Sequence, residues 1–408
     1  MSSKVTIRDI KVYIMKLPGQ EGKPNPNITA VKVETSEPGL YGLGCATFAY
    51  RDLAVKCVID NYLKPILIGK DVYEIEDTWR RLQYSSYWRT GPIEMNAISG
   101  IDIALWDIKG KMAGMPVYEL LGGKCHDTIP VYQYADGDTT EEVCESVQKR
   151  LEEGNTHIRV RINGFGGIDT ASKMYRPGTE GVHYDPVKYM LELIDCVKTV
   201  REQFGYHVEL LHDVHERIDP QDALWLAKEL EPYRLFFLED LFAPEQCDWY
   251  KVMRQQVFTP IAVGELFTNS KEWDYLVTNR LVDYLRNHIT SIGGITPSVK
   301  LMHQADLYGI KIAWHGPPDI TPIGHAANIH MDYACHNLGI QEWAGVPEAA
   351  YEVFPGCPYV KGNAVYLDEK PGLGVDFDEE KAKQYPPDET SWLNRWQWRT
   401  PNGTLHTP

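Results

Sequence analysis

The sequence predicts an α/β protein: a modified (β/α)8 TIM barrel with an N-terminal α+β capping domain that the C-terminal tail completes. Three observations predict it. From Thr128 onward, short β-branched runs alternate with amphipathic stretches, most of them about 20 to 30 residues apart, the pitch of parallel βα units. The first hundred residues follow another grammar, strands first and helices after. Three successive strands of the second region end in an acid, Asp213, Glu239 and Glu265, spaced by 26 residues in both steps.

Taken in order, residues 6–14 and 28–35 alternate apolar and polar side chains as half-buried strands do. Residues 51–63 read as a helix that stops before Pro65 and Gly69. Residues 94–112 read as a second helix, with Ile98, Ile101, Ala104, Leu105 and Ile108 at helical spacing. Eight strands follow, at 129–134, 157–162, 208–213, 235–240, 261–266, 282–287, 310–315 and 339–343. The interval between the second and third is about twice the others, and its surplus is a Gly-rich loop of the length that lids have. After Gly372 the chain turns polar and Trp-rich. The predicted division is 1–125 for the cap, 126–372 for the barrel and 373–408 for a segment that packs back on the cap.

Composition excludes several functions. The 408 residues carry 41 Lys and Arg against 57 Asp and Glu, a net charge of −16, which repels nucleic acid and anionic lipid at long range. No run approaches the ~18 apolar residues of a membrane span. The opening residues carry Lys4, Arg8, Asp9 and Lys11 where a signal peptide needs an apolar core, and the 8 cysteines form no Cys-x-x-Cys pair. A cytoplasmic protein with free thiols is expected.

Equal spacing gives the three acids equivalent places on adjacent strands, at the C-terminal barrel face where active sites form. Three clustered anions repel one another unless a cation joins them, and all-oxygen ligation points to magnesium, one ion per subunit. His215, two residues past Asp213, shares its face if the strand continues, so it is a candidate acid or base. His315, Glu342, Arg286 and His288 take similar places on later strands. Arg159 and Arg161 share a face on the second strand, where one can be a fixed cation beside a base.

These residues sit in longer motifs: residues 87–123, LLHDVHERI (210–218), FFLED (236–240), AVGELF (262–267), GGITP (293–297), HGPPDITP (315–322) and GIQEW (339–343). Over essentially its whole length the chain resembles the enolase superfamily, and within it the mannonate dehydratase branch. The resemblance implies magnesium on Asp213, Glu239 and Glu265, and removal of the proton beside a sugar-acid carboxylate followed by loss of the β-hydroxyl as water. It implies that His215 is the acid for the departing hydroxyl. It implies a tyrosine base in the long loop paired with Arg159, and counting back from HYDP the tyrosine falls on Tyr175. Arg286, His315, Asp319 and Glu342 look like substrate-binding residues, and Asn27 matches a contact from the cap to the distal end of the sugar. Tyr134 stands where the branch usually has a substrate-touching His. The expected partners are a small acid sugar, of the mannonate or gluconate type, and further copies of the same chain. A second reading is a silent sugar-acid binder or regulator that keeps the metal site and has lost the base: Tyr134, Pro317 and the remodelled loop after the second strand depart from the branch. A racemase fits less well, because the usual lysine pair on the second strand is Arg159 and Arg161.

Overall fold

The computed structural model describes residues 4–19, 25–164, 166–169, 183–390 and 398–406. They form two compact units, each assembled from distant stretches of chain. The first is Met1–Pro130, Glu265–Tyr275 and Arg286–Leu393. The second is Val131–Gly264, Leu276–Leu285 and Asn394–Pro408.

In the first unit, β1 (Ile7–Met15), β2 (Ile28–Thr35) and β3 (Tyr41–Cys45) form an antiparallel meander. The 22-residue helix α1 (Pro92–Ala113) packs on it, opened by Pro92, whose missing N–H costs nothing in a first turn, and closed by Gly114 with φ of 67°. Backbone meets backbone in that contact: a Cβ on Gly44 of β3 would lie 1.9 Å from the Gly100 carbonyl oxygen of α1. The core between them includes Val31, Val33, Ala97, Ile98, Ile101, Ala104 and Ile108. The helix expected over 51–63 runs further than Pro65 was expected to allow. It starts at Asp52, widens to a π turn over Ile59–Leu63 and continues as Lys64–Leu67 with Pro65 in its opening turn. A wide turn there removes the need for the amide that proline lacks.

One buried carboxylate knots this unit. Asp107 of α1 accepts from the amides of Leu43 (2.9 Å) and Leu373 (2.8 Å) and from Lys111 Nζ (2.6 Å), although burial raises its pKa. Asp107→Ala leaves two buried amides without an acceptor, so urea denaturation is expected to show a loss of about 3 kcal/mol or more. A loss under about 1 kcal/mol, the worth of an average hydrogen bond, would show that water replaces the carboxylate.

In the second unit six strands lie parallel in chain order: β4 (Ile129–Gly137, from Val131 on), β5 (His157–Ile162), β6 (Glu209–Asp213), β7 (Phe237–Glu239), β8 (Ile261–Val263) and β9 (Tyr284–Leu285). Helices Thr140–Glu152, Pro186–Phe204, Pro220–Leu230 and Trp249–Met253 alternate with them. Thr139 and Glu142 form a capping box on the first, and Asp185 accepts from the Val187 and Lys188 amides at the start of the second. The expected strands are all found, but from β6 on they are shorter than drawn. Glu265 and Arg286 consequently stand just past strand ends, where backbone is released from the ladder and side chains can converge. Two later strands, β10 (Lys311–Ile312) and β11 (Gln341–Glu342), belong to the first unit.

The tail divides. Residues up to 390 pack on the cap sheet, with Tyr13 on Glu379, Lys16 on Asp388 and Tyr41 on Asp376. Residues 398–406 instead join the second unit. Among the described residues no helix is long and apolar enough to cross a membrane.

Candidate active site

Parallel register aligns Arg159, Asp213 and Glu239 in the second unit. Asp213, the last residue of β6, pairs directly with Glu239, the last of β7, so their side chains share a face. Arg159 of β5 pairs with Leu211 and so shares that face with Asp213 one step on. Its guanidinium, 3% exposed as a residue, lies 2.7 Å from Asp213 and 4.0 Å from Glu239. Burial alone would lower the Arg159 pKa, but the two carboxylates hold it well above its ordinary value. Glu265 follows β8 by two residues, and β8 runs beside β7 with Ala262 opposite Glu239. One oxygen from each of Asp213, Glu239 and Glu265 lies within 4.8 Å of the other two. An all-carboxylate set of this size, two members buried and Glu265 partly exposed, suits a hard divalent cation.

His215 reaches Asp213 for a different reason from the one expected. The strand ends at Asp213, and His215 and Glu216 both have left-handed backbone, with φ of 54° and 56°. The His215 amide donates to Asp213 Oδ1 at 2.9 Å, and this turn, not strand alternation, brings Nε2 to 3.0 Å from Asp213 Oδ2. Burial pushes the imidazole down to about 3, against the attraction of Asp213. It is neutral at neutral pH.

Tyr134 of β4 pairs with Arg159 in register. The Arg159 and Arg161 guanidinium carbons lie 5.0 and 4.7 Å from its ring centre. Arg161 is fixed by Asp136 through two 2.7 Å hydrogen bonds. Tyr175 lies outside the described residues.

The first unit holds the other expected residues. Arg286 and Glu342, both fully buried, form an ion pair at 2.6 Å, and Glu342 also accepts from the Gly316 amide at 2.9 Å. His315 Nε2 stands 3.2 Å from Glu265, and its Nδ1 meets His288 Nδ1 at 2.7 Å. Two nitrogens at that distance share one proton, so the rings are opposite in donor role. Asp319 lies half-buried in the turn before the helix Pro322–Ala334. Asn27 is 2% exposed, and its amide is engaged inside the unit, on Asp52 at 2.5 Å and on the Asp388 backbone at 3.0 and 2.8 Å.

Sequence reading passed over His212. It alternates with Asp213 and so faces the other way, where Nε2 accepts from Tyr189 at 2.8 Å while Nδ1 donates to the Val160 carbonyl at 2.9 Å. The alternation was a usable signal for its direction, but not for its partner 23 residues away.

Residues 142–381 match the family described as enolase C-terminal domain-like, and residues 23–122 match the mandelate racemase / muconate lactonizing enzyme N-terminal domain. A D-galactonate dehydratase family member from Enterocloster bolteae is 48% identical, with 99% of each chain covered. Another, from Musicola paradisiaca, is 47% identical over the full length of both. The chain belongs to the D-galactonate dehydratase family of the enolase superfamily. The solved structure of an enolase from Pantoea ananatis with bound D-gluconate and Mg is 46% identical, with a TM-score of 0.93 over 99% of this chain and 100% of that one. The enolase-superfamily fold, a cap domain and a barrel-like domain with a mostly parallel sheet, is therefore the fold of this D-galactonate dehydratase family member. The relatives named here carry galactonate and gluconate in their descriptions where the motifs had pointed to the mannonate branch.

Proposed function

We propose that this family member is a magnesium-dependent dehydratase of acid sugars, acting on an aldonate of the gluconate or mannonate type. The observation that carries the reading is the set of acids closing consecutive strands, Asp213, Glu239 and Glu265, with Arg159 and His215 fixed against the first of them. A bound D-gluconate and Mg in the Pantoea ananatis relative supports it.

The proton beside a carboxylate is so weakly acidic that a positioned base needs help from charge stabilisation. Mg²⁺ on the three carboxylates would supply that help by offsetting the negative charge that develops on the substrate carboxylate. Tyr175 is the proposed base: it takes the C2 proton, and Arg159 is the cation that makes a phenol acidic enough to act near neutral pH. His215 gives a proton to the C3 hydroxyl, which leaves as water. The C2–C3 enol then rearranges to a 2-keto-3-deoxy acid. A neutral His215 becomes an acid only when it takes up a proton, and the anionic substrate beside it favours that. Arg286, His315, Asp319, Glu342, Tyr134 and Asn27 are the proposed substrate-binding residues.

The test is turnover of a set of aldonates with Mg²⁺, read as release of a 2-keto-3-deoxy product and as exchange of the C2 proton in deuterium oxide. Both are expected for at least one sugar, and Tyr175→Phe is expected to stop the exchange while leaving Mg²⁺ affinity unchanged. Binding of acid sugars with neither reaction would instead identify a silent binder.

A further inference from the structure

The C-terminal hairpin, Trp398–Arg399 paired with Leu405–His406, lies in the second unit, against the strand His183–Tyr184. From there one side chain reaches toward the site. His406 Nε2 meets the Arg217 carbonyl oxygen, and because that oxygen can only accept, the imidazole donates. The His406 ring also lies 4.8 Å from the Tyr184 ring at 32°.

We propose that His406 is a positioning residue for His215: its hydrogen bond to the Arg217 carbonyl holds the left-handed turn that aims His215 at Asp213. This rests on the role given to His215 above. The turn needs holding, because left-handed backbone costs a non-glycine residue about 1 kcal/mol or more, and two such residues stand in succession. Its near side is secured by the Val214 amide on the Glu239 carbonyl at 3.0 Å and the Glu216 amide on the Asp240 carbonyl at 2.8 Å. Its far side, at Arg217, is where His406 binds. A second route starts from the same ring. Tyr184 lies 6.4 Å from Tyr189, ring to ring, and Tyr189 donates to His212, the residue before Asp213. The tail therefore touches Arg217 directly and reaches His212 only through Tyr184 and Tyr189. Only the second contact survives if His406 becomes an apolar ring.

Two variants separate the donor from the ring. His406→Phe keeps an aromatic side chain against Tyr184 and loses the donor, whereas His406→Gln keeps a donor on a flexible stem. In His406→Phe, kcat for dehydration is expected to fall about 100-fold, the cost of misplacing a catalytic group by about 1 Å. KM, Mg²⁺ affinity and C2-proton exchange should hardly change, and His406→Gln should recover most of the loss. Amide hydrogen exchange across 214–217, measured without substrate, should be faster in His406→Phe than in the wild type. Unchanged amide exchange, an unchanged kcat, or a Gln variant as impaired as the Phe variant would each overturn the proposal. A wild type that turns over no acid sugar would overturn the dehydratase reading, and amide exchange would still decide whether His406 holds the turn.

Discussion

Glu239→Gln is expected to abolish turnover and to weaken Mg²⁺ binding by more than about 100-fold, the upper end of what losing a mere supporting contact to a metal ligand costs. The substitution changes almost no volume at a fully buried site. It removes one of three negative charges and one ligand oxygen. The same change relieves repulsion between Glu239 and Asp213 in the metal-free protein, so the metal-free thermal midpoint should not fall. Magnesium at 100 times its dissociation constant stabilises a protein that binds it by about 2.7 kcal/mol. Wild type should show that gain in a thermal melt and Glu239→Gln should not. Equal magnesium affinity of the two proteins by calorimetry would remove the carboxylate cluster from the mechanism.

His215→Asn is expected to lower dehydration by about 10²- to 10⁴-fold, the usual contribution of a positioned proton donor. Asparagine preserves the polar contact to Asp213 but cannot carry the proton. Because the C2 proton is taken by another group, exchange with solvent deuterium should continue in the variant while product formation stops. Full dehydratase activity would show that the hydroxyl leaves without help from this side chain. Loss of exchange together with dehydration would show that His215 itself takes the C2 proton.

Much of the site was legible in the sequence because a barrel repeats. Asp213, Glu239 and Glu265 share one place in three consecutive βα units, so their interval alone brings them together. Arg159 was legible for a related reason: strand alternation puts it on the face of its neighbours' acids. What depends on a turn was harder to read. His215 was assigned to the right neighbour through strand alternation, but a pair of left-handed residues puts it there, and no periodicity encodes such a turn. What depends on distant chain was hidden altogether. Asn27 meets Asp52 and Asp388, and His406 meets Arg217, 189 residues earlier. Such pairings follow from tertiary packing and leave no local pattern.

The ties between the cap strands and the chain near residue 388 also set an order of events during synthesis. Asn27 finds its backbone partner 361 residues later, and at ~5–20 residues per second the ribosome needs roughly 20–70 s to deliver it. For most of that interval the β1–β3 meander and α1 are already made, while Leu373 and Asp388, which complete their hydrogen bonding, do not yet exist as chain. Both units thus close only near the end of synthesis, the first with the chain near residue 388 and the second with the hairpin at 398–406. Nascent cap strands therefore wait for most of translation for the chain that completes their hydrogen bonding.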